Sequence, residues 1–288
     1  MAESGAAASG AAASGAPVDK GNDIAILGGG NLGRALARGW METGLRLPEQ
    51  IIITRRNPDA LKDLADEGLT VTADNAAAVR RADTVILSVQ PQQLKGLIDD
   101  IRDSLDEDSL VVSVVSGVSI RTIRDHIGRD IPLVRAMPNT GVGIGQSMTC
   151  LAEADEGRQL IDRVRPLFDA VGRTLVIRED MMVSATALCA CGIAFFLRAI
   201  RAATQGGIEI GFHPDEALLL AAQTAYGAAA LLADGDTHPE AEIDRVTTPR
   251  GCTISGLNEM EHRGFSSAMI KAILTSADSA VQLLGEDS

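Results

Sequence analysis

The stretch that decides the fold is AILGGGNLG, Ala25 to Gly33. A short apolar run ends in a turn with glycine at Gly28, Gly30 and Gly33, and a helical period follows at once. Each glycine has its own task in such a strand–turn–helix unit. Gly28 permits the tight turn, Gly30 leaves bare backbone where a pyrophosphate would approach, and Gly33 lets the helix lie close on the strand. The helix start then offers N–H donors and partial positive charge to the phosphates. Alone, a G-x-G-x-x-G pattern is weak. At the end of the first strand of an alternating β/α series it becomes specific.

That series is present. DIAILG, QIIIT, DTVILSV (Asp83 to Val89), LVVSVVS (Leu110 to Ser116) and IPLVRAM (Ile131 to Met137) read as strands. Helical periods separate them at Asn31 to Gly44, Pro58 to Glu67, Gln92 to Leu105 and Ile120 to Ile127. Continuous apolar strands alternating with helices predict a parallel sheet covered on both faces. SMTCLA and RTLVIR add two strands around a helix from Glu156 to Ala170. Past Asp180 the strands stop. Helices are predicted over Met181 to Ile210, Asp215 to Leu232, His238 to Val246, Thr253 to His262 and Ser266 to Leu284. The fold class is therefore α/β: a Rossmann-type, mostly parallel sheet domain over 23–179, followed by an all-α domain over 180–288.

The leading segment 1–22 opens with Ala/Gly/Ser repetition and lacks the basic start and apolar block of a secretory signal. It cannot bury enough surface to order itself and reads as a disordered tail. The run MMVSATALCACGIAFFL, Met181 to Leu197, touches the lower length limit of a membrane span with 17 residues. Its Ser, Thr, Cys and Gly content, and the flanking Asp180 and Arg198, point instead to a buried helix. Ala-rich helices such as ALLLAAQTAYGAAALLA leave few positions to face water. A helix apolar nearly all round must be buried, so the expectation is burial against a second copy, in a homodimer or higher oligomer.

The chain of 288 residues is 45% hydrophobic with a net charge of −13, a balance that excludes nucleic acid and anionic membrane surfaces as partners. Four cysteines, Cys150, Cys189, Cys191 and Cys252, fit no zinc spacing, and no metal site is expected. Cys189 and Cys191 read as small buried apolar residues, and the expected compartment is the cytoplasm. The histidines His126, His213, His238 and His262 sit singly on or before predicted helices and read as structural or solvated.

The end of the second strand bears on the cofactor. A carboxylate there would bind a ribose 2′-hydroxyl and repel a 2′-phosphate. This chain has Thr54, Arg55, Arg56 and Asn57. A hydroxyl and two guanidiniums favour NADP(H), with NAD(H) as the alternative. A second glycine turn, TTPRGCTISGL (Thr247 to Leu257), also opens a helix. The N–H groups of Gly251, Cys252 and Thr253 can grip a carboxylate there.

GGGNLG, SVQPQQL (Ser88 to Leu94), VRAMPNTG (Val134 to Gly141) and VTTPRGCTISGL (Val246 to Leu257) stand in the order and spacing of the pyrroline-5-carboxylate reductase family, which the chain resembles from about Ile24 to Leu284. The resemblance implies a Rossmann domain coupled to a helical dimerisation domain. It implies reduction of 1-pyrroline-5-carboxylate, a small anionic cyclic imine, to L-proline with a reduced nicotinamide. It places the active site where one subunit's helical turn meets the cofactor. Thr253 is then the catalytic residue, hydrogen-bonded near the ring nitrogen. Substrate contacts fall on Thr248, Arg250, Gly251, Cys252, Thr253, Met137 and Asn139. Cofactor contacts comprise Gly28, Gly30, Asn31, Leu32, Gly33, Thr54, Arg55, Arg56, Asn75, Ser88, Val89, Gln90, Pro91 and Ser116.

Three positions depart from the family pattern. Arg250 stands where a glycine is usual, and Gln90 where a lysine is usual. CACGIAF (Cys189 to Phe195) replaces Ser-Gly-Ser-Gly-Pro-Ala-Tyr, so the helix is expected to run straight where the family breaks it. These departures keep two alternatives open: a different cyclic imine carboxylate, or a non-catalytic NADP-binding dimer. A hydroxyacid dehydrogenase would need a lysine early in the helical domain, and no lysine occurs between Lys95 and Lys271.

Overall fold

The computed structural model describes residues 22–154, 159–233, 235 and 237–285, with side chains up to 282. The expected tail, apart from Asn22, lies outside the described residues, as does the expected start of the helix at Glu156.

The chain opens with β1 (Ile24–Leu27), α1 (Asn31–Glu42), β2 (Ile51–Thr54), α2 (Lys62–Asp66), β3 (Thr70–Thr72), α3 (Asn75–Arg81) and β4 (Thr84–Leu87). It continues through α4 (Pro91–Ile101), β5 (Leu110–Ser113), α5 (Ile120–Ile127), β6 (Leu133–Met137), β7 (Ser147–Glu153), α6 (Leu160–Asp169) and β8 (Gly172–Val176). The strands form one sheet in the order β3-β2-β1-β4-β5-β6-β7-β8. Every neighbouring pair is parallel except β6 and β7. The antiparallel step follows from the short connection through Thr140–Ile144, which is too brief for a crossover helix.

Strand residues alternate between two apolar layers. Ile24, Ile26, Ile51, Ile53 and Ile86 pack with Leu36 and Trp40 of α1 and Phe168 of α6. Ala25, Leu27, Ile52, Val85 and Leu87 pack with α3, α4 and α5. Trp40 is wholly buried, and its indole N–H donates to the Leu167 carbonyl at 2.6 Å, which ties α1 to α6. The unit β3–α3 does not appear in the sequence reading. β3 has three half-buried residues at the sheet edge, and α3 carries its apolar face largely on alanines, so neither period stands out. Asp74 caps α3 by accepting from the Ala77 N–H at 2.8 Å.

After β8 come a 3-10 turn at Glu179–Met181, α7 (Met182–Ala185), a π-helical segment at Thr186–Cys191, and α8 (Gly192–Glu209). The remainder is α9 (Pro214–Ala233), α10 (Pro239–Val246), α11 (Cys252–His262) and α12 (Phe265–Gly285). Two sequence expectations need correction. The Cys189–Phe195 region does not start a straight α-helix; Thr186–Cys191 is wound as a π-turn although the proline is absent. Nor is Met181–Leu197 a buried helix within one chain. Met182, Ala185 and Ala187 are buried, whereas Leu188, Phe196 and Leu197 are more than half exposed. On α9, Ala217 is the one buried residue, and Leu219 is 69% exposed.

The stretches Glu179–Glu209 and Pro214–Ala233 are long and apolar enough, by length and composition, to cross a membrane. Exposed leucines and phenylalanines on this scale mark a surface that another body covers.

Candidate active site

The parallel strands deliver their following loops to one edge of the sheet. Leu27, Thr54 and Leu87 are in register there, so the turns after β1, β2 and β4 stand side by side. The strand order reverses between β1 and β4, the topological switch point where such sheets bind ligands. A cleft of about 930 Å³ opens at this point.

The glycine turn is built by exclusion. Gly28 adopts φ +117°, and a Cβ there would sit 2.1 Å from the Ser88 carbonyl oxygen. A Cβ on Gly33 would sit 2.3 Å from the Gly28 carbonyl oxygen and 3.1 Å from Ile26. Gly30 differs, since a Cβ there would meet no atom within 4 Å. That bare backbone faces open space of the kind a pyrophosphate fills. Gly30 is also the N-cap of α1 and gives no side-chain cap, so the first-turn amides remain uncommitted.

Of the expected cofactor residues, Gly28, Gly30, Thr54, Arg55, Arg56, Asn75, Ser88, Val89 and Gln90 line the cleft. Asn31, Leu32, Gly33, Pro91 and Ser116 lie outside its lining. Gly33 acts through helix–strand packing, and Pro91 as the first residue of α4. Ser116 donates to the Met137 sulfur at 3.8 Å. Arg55 donates to the Gly29 carbonyl at 2.9 Å, so one guanidinium steadies the glycine turn from the end of β2. Among the described residues neither Arg55 nor Arg56 is paired with a carboxylate, and both are exposed.

Sequence reading missed the far wall: Ala73, Gln93, Gly96, Leu97 and Asp100. Asn75 donates to Asp100 at 2.9 Å, which joins the start of α3 to α4. Gly96 in mid-α4 was the available signal, because a helix-interior glycine suggests close approach of another group.

The second turn is equally well defined. The Gly251 N–H donates to the Thr248 carbonyl at 2.9 Å, closing a β-turn over Pro249 and Arg250. Arg250 takes φ +61° at the third position, a left-handed site that favours glycine. A Cβ on Gly251 would meet the Thr248 hydroxyl at 2.5 Å. Gly251 is the N-cap of α11 without a side-chain cap, so the amides of its first turn are free, as in α1. This turn lines neither the cleft nor the cavity bordered by Cys150 and Cys189. Thr248, Arg250 and Cys252 are exposed, and Gly251 and Thr253 are half-buried. Replacing Arg250 with glycine should raise stability by about 0.5–1 kcal/mol, since the left-handed cost outweighs the added chain entropy. Thermal unfolding without ligands checks this, and a lower midpoint for the variant would refute it.

Met137 and Asn139 follow the last parallel strand. Met137 is 3% exposed within an apolar cluster with Cys150, Ala152, Met182 and Ala185. Asn139 is a junction. Its carboxamide accepts from the Gly141 N–H at 2.9 Å and donates to the Cys189 carbonyl at 3.4 Å, and its N–H donates to Ser147 at 3.2 Å. It thereby meets a carbonyl of the π-turn and lines a second cavity of about 1000 Å³ between β7, β8, the π-turn, α8 and α9.

The cysteines also differ from expectation. Cys150 is buried, Cys189 and Cys191 are half-buried, and Cys252 is exposed. His126 contacts the Thr122 carbonyl at 2.7 Å, and His238 accepts from the Glu240 N–H as a helix cap, both structural roles. Among the described residues no cluster of His, Cys, Asp or Glu could hold a metal ion.

Residues 179–283 match the family described as pyrroline-5-carboxylate reductase dimerisation, and residues 23–117 match that described as NADP oxidoreductase, coenzyme F420-dependent. Pyrroline-5-carboxylate reductase 2 of Dictyostelium discoideum is 45% identical over 272 residues, covering 89% of this chain and 91% of that protein. The chain belongs to the pyrroline-5-carboxylate reductase family. Pyrroline-5-carboxylate reductase 1 of the same organism is 51% identical over 91% of this chain, which spans 50% of that longer relative. The fold matches the Plasmodium falciparum pyrroline carboxylate reductase solved with NADP bound, with a TM-score of 0.83 and 21% identity over 92% of this chain and 99% of that one. The helical half, whose apolar faces are open in one chain, is therefore the part that matches the family's dimerisation region.

Proposed function

We propose that the protein is a cytoplasmic homodimeric reductase that converts 1-pyrroline-5-carboxylate to L-proline with NADPH. Family membership across both halves of the chain carries this reading. When bound, NADPH supplies the hydride for the C=N bond. The chain's own residues do the rest. The uncapped α1 amides above Gly30 hold the phosphates, and Arg55 and Arg56 meet the 2′-phosphate. Gln90, Ser88 and Val89 border the cofactor at the switch point.

The α11 amides at Gly251, Cys252 and Thr253 hold the substrate carboxylate. Such local donors suit an anion approaching a protein of net charge −13, where long-range steering is unfavourable. The Thr253 hydroxyl holds the ring nitrogen. Because this turn does not line the cofactor cleft of its own chain, the reading brings it to the cleft of a second copy, the copy that also covers α8 and α9. A protonated imine is already electrophilic, so positioning and exclusion of water suffice. This fits a site built from main-chain amides, a hydroxyl and two guanidiniums. The segments 23–179 and 180–288 then act as cofactor and dimerisation domains.

Loss of NADPH absorbance with 1-pyrroline-5-carboxylate tests the reading. Wild type should turn over, and Thr253→Ala should lose roughly 10- to 100-fold in kcat/KM, the worth of one hydrogen bond to a charged group. NADPH binding without turnover on this imine, or on its six-membered homologue, would favour the non-catalytic dimer.

A further inference from the structure

Two thiols that the reduction does not use lie together where β7 meets the π-turn. Cys150 is buried on β7 and Cys189 is half-buried in the π-turn. Cys189 packs against the buried apolar cluster that contains Cys150. Both line the cavity of about 1000 Å³, and Cys150 backs onto the sheet. Their surroundings are the apolar side chains of Met137, Ala152, Met182 and Ala185. Among the described residues that line the cavity, Arg173 alone is charged.

We propose that Cys150 and Cys189 form a redox-active dithiol that hydrogen peroxide, small enough to enter the assembled protein, oxidises to an intrachain disulfide. The division of labour follows from their environments. The hydrogen bond from Cys150 holds the Cys189 thiol at about 7, below the ordinary thiol value, while burial opposes that shift. The same hydrogen bond, burial and the neighbouring sulfur push the Cys150 thiol up, so it keeps its proton. Cys189 is then the attacking thiolate and Cys150 the resolving thiol.

The Cys189 thiolate attacks one peroxide oxygen, the O–O bond breaks, hydroxide leaves, and Cys189 becomes a sulfenic acid. Cys150 then displaces the sulfenic oxygen, an S–S bond forms, and its proton leaves with that oxygen as water. Overall two thiols give up two electrons, and one hydrogen peroxide becomes two waters. The bond would draw the π-turn onto β7. Since Asn139 is bonded to the Cys189 carbonyl, the loop after β6 would move with it. The oxidised protein should therefore turn over more slowly, a consequence that rests on the reductase reading.

The test treats the full-length protein with near-stoichiometric hydrogen peroxide, blocks free thiols, and maps peptides without reduction. The expected result is a peptide joining Cys150 to Cys189 that dithiothreitol removes. Cys150→Ser, or Cys150→Thr if the serine variant does not fold, keeps a donor to Cys189 and should instead stop at a Cys189 sulfenic acid that dimedone traps. Both thiols remaining alkylatable, or Cys189 joined to any cysteine other than Cys150 of its own chain, would overturn the dithiol. Peptide mapping needs no activity, so it separates this proposal from the reductase reading. In an active preparation, kcat should fall several-fold on oxidation and recover with dithiothreitol. Unchanged turnover of the cross-linked protein would overturn the coupling to the site.

Discussion

Removing Arg55 and Arg56 together, as Arg55→Ala/Arg56→Ala, should raise the KM for NADPH by roughly 100- to 1000-fold and that for NADH by less than about tenfold. The two side chains follow β2 at the cleft wall beside Thr54, where no carboxylate stands to select a ribose hydroxyl. Each guanidinium facing a 2′-phosphate contributes about 1.5–3 kcal/mol, and NADH presents nothing in that position. The two residues are not equivalent. Arg55 also donates to the Gly29 carbonyl at 2.9 Å, so its loss loosens the glycine turn and accounts for the small effect on NADH. Arg56→Ala alone should cost NADPH about tenfold or more and leave NADH unchanged. Steady-state kinetics with both cofactors decides the matter. Equal losses for the two would mean that the arginines serve the shared phosphates.

The second large effect is on stability. Glu179 is the first residue of the region matching the dimerisation family, and it reaches back to the sheet. Its carboxylate accepts from the Ile120 N–H at the start of α5 at 2.6 Å and from Arg135 of β6 at 3.3 Å. The Arg135 side chain is only 6% exposed, and its Nε already lacks a partner. Burial lowers the Arg135 pKa, and Glu179 opposes that shift, so the carboxylate is what keeps the buried cation tolerable.

Glu179→Leu should therefore cost about 3–5 kcal/mol, because it strands a buried charge rather than merely deleting a contact. For a chain of this size the melting midpoint should drop by on the order of 10 °C. The double variant Arg135→Met/Glu179→Leu removes both charges and should recover most of the loss, to within about 1–2 kcal/mol of wild type. Circular-dichroism melts of the three proteins check this. A single variant as stable as wild type would show that the pair bears no weight at the junction.

Much of the first half was legible along the chain. Gly28, Gly30 and Gly33 name a turn whose constraints are local; neighbouring atoms exclude a Cβ at Gly28 and Gly33, whereas Gly30 faces open space. The strands β1, β2, β4, β5 and β6 were readable because buried parallel strands are continuous apolar runs. β3 and α3 were not, since a three-residue edge strand and an alanine-rich helix lack period and contrast. The far wall of the cleft was illegible for a related reason. Asp100 and Gln93 become wall residues only through the way α4 lies beside α3.

Sequence by itself determined the class of fold, the glycine turn after β1, the arginines beside it and the family, because these depend on residues close together in the chain. Tertiary structure alone decided what happens between distant segments. It wound Thr186–Cys191 into a π-turn bonded to Asn139, set Cys150 against Cys189, and left the Thr253 turn and the apolar faces of α8 and α9 open. The physical reason is that backbone preference acts over a few residues, whereas burial and pairing are settled by whichever remote groups the packed layers bring into contact.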